Sequence, residues 1–120
     1  MLRNQKGFTL IEIIAVLVIL GILAAVAIPR YFDLQTEART KAAQGALAAL
    51  QSTATQAYSQ QLLNGVANAS NWTPPGAVNV GDYGGTITGQ RNVTVLITSG
   101  PAAWNSGVAA ANQTKTFNLW

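Results

Sequence analysis

The tightest constraint on this chain is the run FTLIEIIAVLVILGILAAVAI, residues 8–28, in which only Thr9, Glu12 and Gly21 interrupt apolar side chains. As a helix it is about 31 Å long at 1.5 Å per residue, enough to cross the hydrocarbon core of a bilayer. A surface this apolar must be hidden in lipid or against other protein. Ahead of it stands a short polar leader, residues 1–7 (MLRNQKG), which carries Arg3 and Lys6. Glu12 is the anomaly. A carboxylate at the centre of a membrane helix costs about 2.5–3.5 kcal/mol on insertion scales, less towards the interface, so such an acid needs a partner or a task.

The residues admit two plain readings of this segment. One is a secretory signal peptide, with Ala25-Val26-Ala27 as a small-x-small cleavage site; the length of the run and Glu12 within it count against this. The other is a membrane anchor for an exported domain, with Arg3 and Lys6 held on the cytoplasmic side. That explains the length of the run but not Glu12.

After Ile28, Pro29 removes one helical hydrogen bond and can kink the chain, and Gly21 is a second weak point. From Tyr31 to about Leu63 the spacing stays helical. Leu34, Ala38, Ala42, Ala46, Ala49, Leu50, Ala54, Ala57, Tyr58 and Leu62 recur at intervals of three and four, which predicts an amphipathic stripe. Glu37 and Lys41 have the i,i+4 spacing of a helical ion pair. Asn64-Gly65 is the stop signal. Beyond it, Asn71–Ala77 (NWTPPGA) and Gly81–Gly85 (GDYGG) read as loop and turn. Thr86–Thr88, Val93–Thr98 and the alternating tail TKTFNLW read as strands. The expected fold is α+β, one long N-terminal helix packed through its amphipathic half on a small antiparallel sheet of three or four strands. Four segments follow: 1–7, the leader; 8–30, the apolar half of the helix; 31–63, the amphipathic half; and 64–120, a β-rich region too small to build a robust core alone.

Several chemistries are excluded by composition. The chain has no cysteine and no histidine, so thiol chemistry, disulfides, the usual zinc ligands and a histidine base are absent. The net charge of +3 comes largely from Arg3 and Lys6; from Phe8 onward there are five basic and four acidic residues, scattered. Nothing forms the basic stripe that nucleic-acid binding requires. Among the acids, Asp33 and Glu37 can share a helix face, with Arg39 and Lys41 nearby, as a solvated charged surface rather than an acid–base pair. Asp82 reads as a turn residue. Four N-x-[ST] sequons, at Asn68, Asn71, Asn92 and Asn112, are what a chain rich in Asn, Ser and Thr produces by composition. No catalytic residue, metal site or cofactor is expected, and the chain does not read as an enzyme.

The motif KGFTLIE followed by the apolar run resembles the N-terminal signature of type IV prepilins and the related pseudopilins. The resemblance continues through GILAAVAIPRYFDLQTEAR, about residues 6–40. Within it, VILGILAAVAIPRYFDLQTEAR and QGALAALQSTATQAYS look most like mannose-sensitive haemagglutinin-type pilins, although the cysteine pair many of these carry near the C-terminus is missing. The resemblance implies a pilin fold, cleavage by a prepilin peptidase between Gly7 and Phe8, and N-methylation of Phe8. It implies that Glu12 pairs with the new N-terminal amine of an adjoining subunit. Each charge is costly alone in an apolar bundle and tolerable once paired. It also implies that the segment bracketed by Gly21 and Pro29 unwinds in the filament. The expected protein is a precursor subunit of a bacterial type IV pilus serving attachment or motility. It would be inserted in the inner membrane, handled by the membrane-bound assembly machinery and polymerised with copies of itself into an extracellular fibre. A type II secretion pseudopilin and an anchored binding module that never polymerises are the alternatives.

Overall fold

The computed structural model describes residues 6–66, 68 and 71–120; leader positions 1–5 with Arg3, and Ala69 and Ser70 of the first sequon, lie outside them. The chain divides into two compact units, residues 1–35 and residues 36–120. Helix α1, Leu10–Leu63, supplies elements of both.

In the first unit, every described residue of α1 up to Gln35 is exposed. The helix is continuous through Gly21 and Pro29. Proline has no N–H, so the Ala25 carbonyl lacks its donor from four residues on.

The second unit holds the rest of α1 and a four-stranded antiparallel meander. Its strands are β1 (Gly76–Val80), β2 (Tyr83–Thr88), β3 (Asn92–Ser99) and β4 (Thr114–Asn118), in the spatial order β1-β2-β3-β4. A short 3₁₀ turn, Ala110–Asn112, precedes β4. The helix stops where the sequence places the stop. Gly65 takes φ +69°, its N–H donates to the Leu62 carbonyl at 3.1 Å, and Val66 N–H donates to the Gln61 carbonyl at 3.0 Å. This paired arrangement satisfies carbonyls that the helix end would otherwise leave open.

The core is built where α1 faces the sheet. Ala43, Ala46, Leu47, Leu50 and Ala54 from the helix meet Ile87, Val93, Val95 and Ile97 from β2 and β3, with Trp72 and Val108 from the loops. The buried stripe is rotated from the expected one: Ala43 and Leu47 are inside, whereas Ala38, Ala42 and Ala49 are exposed. An alanine-rich helix offers several stripes of similar apolarity, and the sheet selects one. Leu34 and Leu62, also expected in the stripe, remain exposed. Glu37 and Lys41 form no ion pair with each other; both side chains are exposed.

Parts of two segments expected as loop and turn, Gly76-Ala77 and Tyr83–Gly85, are strand. β1 begins at Gly76, directly after Pro74-Pro75, and its alternation places Ala77 and Asn79 outward with Val78 and Val80 half-buried. Tyr83, Gly84 and Gly85, expected as turn, open β2. The turn itself shrinks to Gly81-Asp82, with Val80 and Tyr83 paired across it. Gly85 is required by packing. A Cβ there would collide with the Leu50 side chain and lie 2.9 Å from the Leu96 carbonyl oxygen. At the same place the register slips, Gly84 pairing with Ser99 and Gly85 with Ile97, so Thr98 is the extra residue of a bulge.

Candidate functional site

The residues singled out as functional, Gly7, Phe8, Glu12, Gly21 and Pro29, all fall in the first unit. Lys6 to Thr9 are non-helical, and the helix begins at Leu10. Thr9 therefore occupies the N-cap position, and Glu12 is the third helical residue.

These two side chains serve each other's backbone. The Thr9 N–H donates to Glu12 Oε2 at 2.9 Å, and the Glu12 N–H donates to Thr9 Oγ1 at 3.4 Å. The Thr9 carbonyl accepts from the N–H groups of Glu12 at 3.2 Å and Ile13 at 3.4 Å. This is a capping box, in which the exposed donors of a helix start are satisfied reciprocally. The carboxylate also stands in the first turn, where the helix dipole favours negative charge. Both effects matter more in lipid than in water, because nothing in hydrocarbon can bond an orphan N–H. The acid that seemed to burden the apolar run thus completes its first turn. Thr9 was not recognised in the sequence, although the T-x-x-E spacing directly before an apolar run is the signal that would have found it.

The surface around this cap is uniformly greasy. Phe8 is 86% exposed and Leu10 75%. The most apolar 18-residue window of α1 has a mean hydropathy of 3.0 with none of it buried, so the helix is long and apolar enough to cross a membrane. A Cβ built at Gly21 would meet nothing within 4 Å, so no contact inside one subunit demands glycine there. Among the described residues, no three His, Cys, Asp or Glu side chains gather to hold a metal ion.

Residues 2–28 match the family model described as the prokaryotic N-terminal methylation motif. Over longer stretches the chain is similar to curated proteins. It is 35% identical to fimbrial protein Q of Moraxella bovis over 110 residues, covering 92% of this chain and 69% of that protein. It is 41% identical to a fimbrial protein of Pseudomonas aeruginosa over 73 residues, 61% of this chain and 45% of the relative. It is 48% identical to the type II secretion system core protein G of Pseudomonas aeruginosa over 48 residues, 40% of this chain and 34% of that one. The matched region thus spans two thirds of the first relative and under half of the other two. No solved structure matches the chain.

Proposed function

The chain belongs to the type IV pilin family, and from that premise we propose that it is the precursor of a pilus filament subunit. In this reading it is made with its leader, inserted in the inner membrane through residues 8–30, cut by a prepilin peptidase between Gly7 and Phe8, and N-methylated on Phe8. The assembly machinery then moves it from lipid into an extracellular fibre of its own copies. The observation that carries the reading is the complete exposure of the apolar half of α1. An apolar helix surface of this length needs lipid first and other copies afterwards. Small residues at Gly21, Ala24, Ala25 and Ala27 allow close helix approach in such a bundle.

Glu12 then holds two duties. Its Oε2 closes the cap on Thr9, and its charge is offered to the amine that cleavage creates on Phe8 of an adjoining subunit. Holding the carboxylate in one rotamer lowers the entropy cost of that pairing. Gly21 and Pro29 bracket the segment that loosens when the subunit enters the fibre. Attachment or motility is the use proposed for the fibre.

Electron microscopy of sheared surface material, with peptide mapping of the fibres, tests the proposal, and mass spectrometry of the mature N-terminus tests the processing. Fibres containing this chain with a methylated N-terminus at Phe8 are expected. A mature N-terminus at Ile28, or surface material without the chain, would remove the reading. The similarity to the secretion core protein G favours a second reading, a short pseudopilus at the inner membrane. It would show as processed subunits that form no long surface fibre at native expression.

A further inference from the structure

The sheet of the second unit is open on both sides, with β1 at one edge and β4 at the other, and the two sides carry opposite charge. On the outer hairpin, the two-residue turn between β1 and β2 holds Gly81 at φ +58°. Asp82 stands exposed at its tip with no hydrogen bond or ion pair. At the β4 edge, a groove of about 350 Å³ is lined by Gln44, Leu47, Ala111, Asn112, Thr114 and Lys115. No carboxylate lines it. Lys115 is exposed and makes no ion pair or hydrogen bond. Gln44 Nε2 donates to Asn112 Oδ1 at 3.3 Å, which leaves the Asn112 amide nitrogen and the Lys115 ammonium as donors bordering the groove.

An acid on a narrow turn and a cation beside a groove, on opposite edges of one molecule, make a heterologous contact. Such contacts repeat from copy to copy and form rings or open helices, according to whether the displacement between copies closes. The strand register places the two features at different heights on the sheet. Gly76, Ile87, Val95 and Lys115 lie in one row across the sheet, and the turn follows Val80, four residues further along β1. The turn therefore lies more than about 13 Å from the Lys115 row along the strands, at 3.3 Å per residue. Arg91, between β2 and β3, and Lys41, on α1, are exposed but do not line the groove.

We infer that the groove at the β4 edge receives the Gly81-Asp82 turn of a neighbouring copy, pairing Asp82 of one subunit with Lys115 of the next. The inference rests on the filament-subunit reading and names one of its contacts.

The chain has no cysteine, so a crosslink can be placed cleanly. Fibres of the Asp82→Cys, Lys115→Cys double variant are expected to give a ladder of oligomers with a short bis-maleimide crosslinker that spans the lysine–aspartate gap, too wide for a direct disulfide, while either single variant gives no ladder. Asp82→Lys and Lys115→Asp alone should each lower the yield of sheared fibre about fivefold, the upper range for one exposed ion pair. Their combination should restore it. Immunoblots of membrane subunits at unchanged levels separate an assembly defect from misfolding. Double-cysteine fibres without a ladder, or charge reversals with undiminished yield, would overturn the contact while leaving the filament reading standing. Absence of fibres from the unsubstituted chain removes both.

Discussion

Glu12 and Thr9 are bonded in both directions, carboxylate to backbone and hydroxyl to backbone, at 2.9 and 3.4 Å. One acid is thereby tied to the start of α1 before any other subunit is present. The two duties assigned to Glu12 separate by substitution. Glu12→Gln keeps a side-chain oxygen for the Thr9 N–H but loses the charge; Glu12→Ala loses both. In detergent micelles, Glu12→Gln is expected to keep wild-type amide protection over Thr9–Ile13, and Glu12→Ala to fray, the cap being worth about 0.5–2 kcal/mol. Both should fail to build fibres. Fibres from Glu12→Gln at normal yield would confine Glu12 to capping.

Gly85 is the tightest point between sheet and helix. Gly85→Ala forces a methyl against Leu50 and the Leu96 carbonyl, and overpacking of this kind costs about 1–3 kcal/mol. Thermal unfolding of the second unit should shift down by several degrees, read by near-UV circular dichroism of the tryptophans. An unchanged midpoint would mean that Leu50 finds another rotamer.

Gln61 clasps the loop that follows the helix. Its Nε2 donates to the Thr73 carbonyl at 2.7 Å, and its Oε1 accepts from the Thr73 N–H at 3.0 Å. Gln61→Glu replaces the donor with a carboxylate facing a carbonyl oxygen. Limited proteolysis within residues 64–75 should quicken, with a stability loss of about 1 kcal/mol. Gln61→Glu with wild-type cleavage kinetics would show that the clasp does not hold the loop.

Trp72 is buried, donates its Nε1–H to the Gln90 carbonyl at 2.7 Å and meets Tyr58 edge-on at 5.8 Å, while Tyr58 stacks on Trp120 at 5.2 Å. Trp72→Phe keeps most of the packing but leaves that carbonyl without its partner, a loss of about 1–3 kcal/mol. Trp72→Ala should cost about 3–5 kcal/mol. Denaturant midpoints of the two variants check the ordering, and equal midpoints would show that the hydrogen bond, rather than the ring, carries the contribution.

The features legible in the sequence were those carried by composition over long windows. The apolar run, the helix extending to Leu63, the Gly65 stop and the β-branched stretch of β3 were all visible this way. What stayed hidden was set by single contacts. Tyr83–Gly85 looks like a turn because glycine usually marks one, yet here glycine admits Leu50. Gly76–Val80 is masked by the two prolines before it and is stabilised as a strand by its partner β2. Ala43 could not be told from Ala42 until a sheet lay against one of them. Gly7, Phe8 and Glu12 stood out through their motif, whereas Thr9, equally part of it, emerged only with the distances.

The apolar segment open from Phe8 to Ile28 makes lipid and the fibre interior two phases competing for one solute. Water is not a third, so a subunit leaving a fibre must pass directly into a membrane or a micelle. The core around Leu50, Ile87, Val93 and Val95 lies wholly within the second unit. Mild detergent should therefore extract folded subunits from a fibre by partition alone.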